Sequence, residues 1–309
     1  MTPTGLGLPR RLLEFTLDGE PVRVPEGTTV LDACRSAGKD VPALCHTGGA
    51  GRQAPTCRLC VVETDNPDNT GNPGNPDVAG DTAGTDDAAP LVPACARAVE
   101  PGMAVRTDTE RVRHSRRTVL ELLASTADLS TTPRAAGWIE EYGARPDRFG
   151  PDAARPDDGP PRLDDELIAR EPDKCVLCRR CVDVCGEQGP YAFALAVTGR
   201  GFATRIAAEH DAPLPDSACV YCGDCLDVCP TGALSARTEF DLRAAGTWDV
   251  TRRTTTATVC GHCDAGCGVV LHVQDNDIVR VTSPQSHPVT RGHLCFKGRF
   301  GHQYAQNRG

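Results

Sequence analysis

The sequence predicts a multidomain α+β protein built from small modules, and three observations carry that reading. Its 309 residues hold 17 cysteines in three separate groups. Aromatic residues make up only 4%, while Gly and Pro number 31 and 25, which favours small, loop-rich units held by something besides a large apolar core. Period-two apolar patterns and short helical patterns follow one another along the chain, separated by stretches rich in Pro, Asp and Arg.

The first module is expected over residues 11–127. LEFTLDGEPVRV (13–24) alternates on either side of Asp18-Gly19 and reads as a β-hairpin, because that dipeptide accepts the positive φ angles of a tight hairpin turn. TTVLDACRSAG reads as a short helix with a Thr cap and a terminal Gly38. LCVVET (59–64), ACARAV and MAVRTD read as strands, the last two joined at Pro101-Gly102, giving the element order of a β-grasp. The segment 65–90 has six Asp, no basic residue and a single Val, so it lacks the apolar surface needed to offset its ordering entropy. It is expected to be a disordered insertion at a hairpin tip.

TERVRHSRRTVLELLAS (109–125) has the apolar spacing of an amphipathic helix. Residues 128–165 read as a linker with one short helix around GWIEEYGA, 166–236 as a second module, 237–256 as a second linker and 257–309 as a small β-rich module. In the last, GVVLHVQDNDIVRVTS reads as a hairpin turning near Asp275 and Asn276.

A net charge of −9 with scattered Arg residues argues against nucleic acid as a partner. Arg10 and Arg11 mimic an export signal, but Glu14, Asp18 and Glu20 interrupt any apolar stretch behind them. No run approaches the roughly 18 apolar residues of a membrane span. A cytoplasmic location is expected, where thiols stay reduced and free to bind metal.

The cysteine spacing is the most specific signal. KCVLCRRCVDVCGEQ (174–188) and ACVYCGDCLDVCPTG (218–232) repeat C-x2-C-x2-C-x3-C, the second with Pro after its final cysteine. Three close thiolates wrap three irons of a cubane, and the fourth cysteine, starting a helix that points away, reaches the neighbouring cluster. The ligand sets are therefore Cys175, Cys178, Cys181 and Cys229 for one [4Fe–4S] cluster, and Cys185, Cys219, Cys222 and Cys225 for another. Zinc is the alternative for C-x2-C pairs, but zinc sites do not use overlapping sets of four.

In the first module Cys45, Cys57, Cys60 and Cys95 form C-x11-C-x2-C-x34-C. This fits a [2Fe–2S] cluster, with Gly48, Gly49 and Gly51 letting amides approach the sulfurs. Cys34 reads as a buried core thiol, with a ligand swap for Cys45 as the alternative, and His46 reads as a neighbour of the sulfurs rather than a ligand. In the last module Cys260, Cys263, Cys267 and Cys295 fit a third [4Fe–4S] cluster, with zinc the alternative for this single set. Sixteen of the 17 cysteines thus fall into four sets of four.

With these motifs in this order, the chain resembles the iron–sulfur amino-terminal half of the catalytic subunit of NAD-linked molybdenum or tungsten formate dehydrogenases. It is also similar to the large iron–sulfur subunit of respiratory complex I and to the amino-terminal region of iron-only hydrogenases. The resemblance implies a β-grasp [2Fe–2S] ferredoxin domain, a two-cluster bacterial ferredoxin-like domain and the small [4Fe–4S] domain that opens molybdopterin oxidoreductases. It implies electron relay between a molybdopterin centre and a diaphorase-type flavin/NAD subunit. The alternative is that the chain is the front part of a split or truncated catalytic subunit. A bis-molybdopterin guanine dinucleotide cofactor is expected only with a partner chain or a missing C-terminal part, so no catalytic residue is assigned here. Lys297, two residues after Cys295, matches the family's relay position toward the pterin. One departure stands out: Thr126, Ser130 and Pro133 occupy the places of the His and first two Cys of a further cluster in complex I and the hydrogenases, and that cluster is expected to be absent.

Overall fold

The computed structural model describes residues 10–46, 55–65, 89–150 and 159–306. The Asp-rich insertion, apart from its ends, and Gly48, Gly49 and Gly51 lie outside the described residues. The chain divides into two compact units, the first of Met1–Leu122 with Gly137–Pro146, the second of Leu123–Ala136 with Asp147–Gly309.

In the first unit, β1 (Leu12–Leu17) and β2 (Glu20–Pro25) pair antiparallel. Asp18 and Gly19 both take positive φ at their turn, as the hairpin's twist demands. Helix α1 (Val30–Ser36) is capped by Thr29, whose hydroxyl accepts from the Asp32 N–H. Strands β3 (Val61–Asp65), β4 (Leu91–Pro93) and β5 (Ala104–Arg106) complete a five-stranded sheet in the order β2-β1-β5-β3-β4, with β1 and β5 parallel. This is the expected β-grasp, with one strand displaced. ACARAV is not a strand: β4 ends just before it, the Ala96 and Arg97 N–H groups fold back onto the Pro93 carbonyl, and Ala98 makes only an isolated bridge to Thr29. Pro93 has no N–H for a second neighbour, which suits β4's place at the sheet edge.

Alternation sends Leu13, Phe15 and Leu17 of β1 inward, where they join Leu31, Leu59, Met103 and Val105 in the core. Helix α2 (Glu110–Thr126) adds Val112 and Leu120, and α3 (Ala135–Tyr142) follows it. Buried Arg116 on α2 donates to the Val61 carbonyl (2.8 Å) and to the Tyr142 hydroxyl (2.9 Å), tying both helices to β3.

The second unit has much smaller elements. Strand β6 (Ile168–Arg170) pairs with β9 (Leu234–Ala236), bracketing the cysteine repeat, whose arms carry α4 (Arg180–Cys185) and α5 (Asp224–Val228). A short ribbon of β7 (Ala196–Thr198) and β8 (Arg205–Ala207) separates the two arms. Residues 237–244 of the expected second linker form α6 (Arg237–Ala244), whose Thr238 hydroxyl donates to the Val279 carbonyl. Strands β10 (Thr254–Val259), β11 (Gly268–Gln274) and β12 (Asp277–Thr282) form an antiparallel sheet with the expected turn at Asp275 and Asn276, both at positive φ. Helix α7 (Phe296–Ala305) closes the described chain, and its Phe300 is buried with Ile168, Leu214 and Leu226.

Candidate metal centres

The chain-reversing turn after β4 delivers Cys95 to the loop after α1, where Cys45, Cys57 and Cys60 are also buried. The Cys45 thiol lies within hydrogen-bonding reach of Cys57 and Cys95, and Cys60 within reach of Cys95. Contacts to Cys57 and Cys95, with amide bonds from Cys57 and Thr56, pull Cys45 well below the usual thiol range, while Cys57 and Cys95 are pushed up in turn. Sulfurs this close share protons poorly, and a bound cation would relieve the conflict. Arg58 takes a positive φ between Cys57 and Cys60, and the Leu59 N–H that follows points back at the Cys57 sulfur.

Cys34 is buried on α1 apart from these four. Burial pushes its thiol up to about 12, and the charges nearest it belong to Asp18, Arg116 and Lys39. His46 is buried with its Nε2 2.9 Å from the Asp32 carboxylate. Its Nδ1 has no partner among the described residues.

In the second unit, Cys175, Cys178, Cys181 and Cys229 together line a cavity of about 70 Å³, walled by Pro172, Leu195 and Ile206. Cys185, Cys219, Cys222 and Cys225 line another of about 20 Å³, walled by Ile168, Pro190 and Leu214. The crossing arises in the short helices: α4 carries Cys181 in its first turn and ends on Cys185, and α5 carries Cys225 with Cys229 as its cap. The two arms also share a backbone device. Leu177 and Arg179 in one, and Tyr221 and Gly223 in the other, take positive φ, so successive amides turn toward sulfur. Arg180 N–H bonds Cys178, Tyr221 N–H bonds Cys219 and Asp224 N–H bonds Cys222. Against these bonds, burial pushes Cys178 up to about 12 and Cys222 to about 11, and it raises Cys181 and Cys225 well above the ordinary thiol value as well. Cavities lined by four cysteines each, with apolar walls, several arginines in the first, and amide donors at the sulfurs, fit an iron–sulfur cubane in donor type.

The fourth set is more open. Cys260 and Cys267 are half-buried and Cys263 and Cys295 exposed; the Cys260 N–H closes the loop onto the Cys267 carbonyl at 2.8 Å. Cys260, Cys263 and Cys295 are the thiols acting on Cys267, whose own value burial raises. Gly298 on α7 faces the Cys260 sulfur, where a Cβ would stand 3.7 Å from it. Lys297 is exposed one helical residue before it. The expected absence of a further cluster falls on a tight local turn: Ser130 donates its N–H and hydroxyl to Asp128, and the Thr126 hydroxyl donates to the Leu123 carbonyl.

Sequence reasoning missed a polar cluster of buried Asp224 and Arg299 with half-buried His293, which joins the second arm of the repeat to α7. Its only sequence signal is the contrast between CRRC and CGDC in otherwise repeated arms.

Three family models match successive parts of the chain. Residues 10–110 match the 2Fe-2S iron-sulfur cluster binding domain, 165–235 the ferredoxin-like domain of NADH-quinone oxidoreductase subunit 3, and 253–307 the molybdopterin oxidoreductase Fe4S4 domain. The NADP-reducing hydrogenase subunit HndD of Solidesulfovibrio fructosivorans is 35% identical over 72% of this chain and 36% of its own length. The NADPH-Fe(3+) oxidoreductase subunit alpha of Geobacter sulfurreducens is 32% identical over 95% of this chain and 31% of its own length. A chain in the crystal structure of a NAD+-reducing [NiFe]-hydrogenase superposes with a TM-score of 0.55 at 26% identity, covering 73% of this chain and 87% of that one. The chain spans about a third of the length of the curated relatives it matches. It is a multidomain iron–sulfur protein of mixed α/β architecture. Among the described residues no helix is long and apolar enough to cross a membrane.

Proposed function

We propose that the chain is a cytoplasmic electron relay with one [2Fe–2S] and three [4Fe–4S] clusters, working between a molybdopterin-binding catalytic chain and a diaphorase-type flavin/NAD subunit. The observation that carries it is the pair of cavities in the second unit, each lined by four cysteines drawn from both arms of one repeat. Cys45, Cys57, Cys60 and Cys95 hold the two-iron cluster. The three four-iron sets are Cys175, Cys178, Cys181 and Cys229; Cys185, Cys219, Cys222 and Cys225; and Cys260, Cys263, Cys267 and Cys295. Such clusters, when bound, supply one-electron transfer. The chain's residues supply the rest: thiolates for ligation, apolar walls that exclude water, and backbone amides whose bonds to sulfur favour the more negative, reduced charge state.

The molybdopterin side of the reading is supported by the match over 253–307 and by the open face where exposed Cys263, Cys295 and Lys297 meet solvent. Lys297 is assigned as the relay residue toward the pterin. Formate as the substrate of the partner rests on the order of the modules. A reducing compartment would keep the sixteen candidate ligands available as thiolates. The relatives are about three times longer, and the second reading is that the chain supplies the iron–sulfur front part of a catalytic subunit. Purification of the native assembly from its source cell, with metal and flavin analysis, tests the proposal. Molybdenum or tungsten together with flavin in stoichiometric amounts is expected, and an assembly with neither contradicts it.

A further inference from the structure

The two arms of the cysteine repeat share their backbone but not their charges. Arg179 and Gly223 occupy the same place and take nearly the same φ, 65° and 71°. The left-handed conformation therefore does not by itself require glycine. What requires it is Arg299: a Cβ at position 223 would lie 2.8 to 2.9 Å from its Cγ, Cδ and Nε. The residue after each is also reversed in charge, Arg180 in the first arm and Asp224 in the second.

Arg299 and Asp224 are almost fully buried, their side chains 3% and 5% exposed. The guanidinium spends its donors in four directions: Nε on the Cys222 carbonyl (3.0 Å), Nη1 on the Val281 carbonyl (2.7 Å) and on Asp227 (2.6 Å), and Nη2 on Asp224 (3.2 Å). Asp224 is held from its other oxygen by His293 Nδ1 at 2.8 Å. At the far end, the Arg299 N–H donates to the Cys295 carbonyl at 3.0 Å. One residue thus joins a cysteine of the second cavity to a cysteine of the exposed set through two hydrogen bonds and its own covalent frame. Beside it, Tyr221 from between Cys219 and Cys222 meets Phe296, next to Cys295, edge-on with ring centroids 6.4 Å apart.

We propose that Arg299 is a positioning residue that fixes the Cys222 loop against the start of α7, making this contact the junction for single-electron transfer between the third and fourth cysteine sets. The inference rests on the reading that both sets hold clusters. The electron lost on one side is gained on the other with no bond made or broken. Only a planar fork satisfies all four directions, because a lysine ammonium is a point charge that cannot bond the Cys222 carbonyl and both carboxylates in the same plane.

The test uses the full chain, reconstituted anaerobically, in wild-type, Arg299→Lys and Gly223→Ala forms, with Cys295→Ser as a reference lacking the fourth set. Iron per chain is measured, and the magnetic interaction between reduced clusters is followed by EPR power saturation. Arg299→Lys and Gly223→Ala are expected to keep the wild-type iron content while the interaction falls toward that of Cys295→Ser, further in Arg299→Lys. Gly223→Ala is the milder probe, since its backbone already accommodates a side chain in the matching arm. Wild-type interaction in both variants would overturn the inference. So would iron loss in Gly223→Ala, because the methyl would then be removing the ligand loop itself. Equal iron in wild type and Cys295→Ser would overturn the reading beneath it, and the inference with it.

Discussion

The two compact units keep their cysteines in different company. In the first, the four candidate ligands sit beside a sheet and helix whose buried residues, among them Phe15, Leu17, Leu31, Met103 and Val105, form an apolar core of their own. In the second, the cysteines of the repeat are themselves part of the core cluster: Cys181 is buried with Ile168, Leu214 and Leu226, and Cys185, Cys219, Cys225 and Cys229 pack against them. Strands of three residues and helices of five or six supply little apolar area there. The contrast separates a fold that positions a metal centre from one in which the centre takes the place of a core.

Iron withdrawal is the strongest way to break this comparison. Chelation under anaerobic conditions is expected to abolish slow amide exchange in β6 and β9 while β1 and β2 of the first unit stay protected. Hydrogen exchange read by mass spectrometry checks this, and equal loss in both units would erase the distinction. Leu31→Ala asks the converse. It removes a fully buried side chain from the first unit and is expected to cost about 3 kcal/mol there, measured by denaturant unfolding of the reconstituted chain, without lowering the iron held by the repeat.

A smaller effect is expected at Asp18. Burial opposes its charge, but the Thr107 N–H and hydroxyl, both at 2.7 Å, and Lys39 outweigh it and hold the carboxyl below its ordinary 3.8. A depressed carboxyl stabilises the fold above its unfolded value and loses that contribution as pH falls through the folded one. Asp18→Asn is therefore expected to cost roughly 1 kcal/mol at neutral pH, with wild type and variant converging as the pH drops below 3.8. The smallest effect belongs to Glu14→Ala. Its pair with Arg23 spans 2.8 Å, but both side chains are more than half exposed, so the change in unfolding free energy should stay within about 0.5 kcal/mol.

Much of this architecture was legible in the sequence where the controlling physics is local. The Asp18-Gly19 turn and the Thr29 cap act within a few residues, and each stands where the pattern put it. The position of β4 was not legible, because ACARAV has strand-like residues but spends its amides on turning Cys95 back toward Cys60. Helix α6 was hidden by a polar composition, and it is held by Thr238 reaching Val279 and by Glu239 pairing with Arg243. The Arg299 contact lay furthest from view. Its partners, Cys222 and Asp224, are some 75 residues earlier in the chain, and only the glycine and aspartate of CGDC mark their side of it.

The central claim, that four sets of four cysteines hold four clusters, is tested most directly by iron and sulfide analysis of the anaerobically purified full chain, with EPR of its reduced state. About 14 irons per chain are expected, with one [2Fe–2S] signal beside those of [4Fe–4S] clusters. Fewer than about twelve irons, no [2Fe–2S] signal, or a colourless protein carrying zinc would contradict the account.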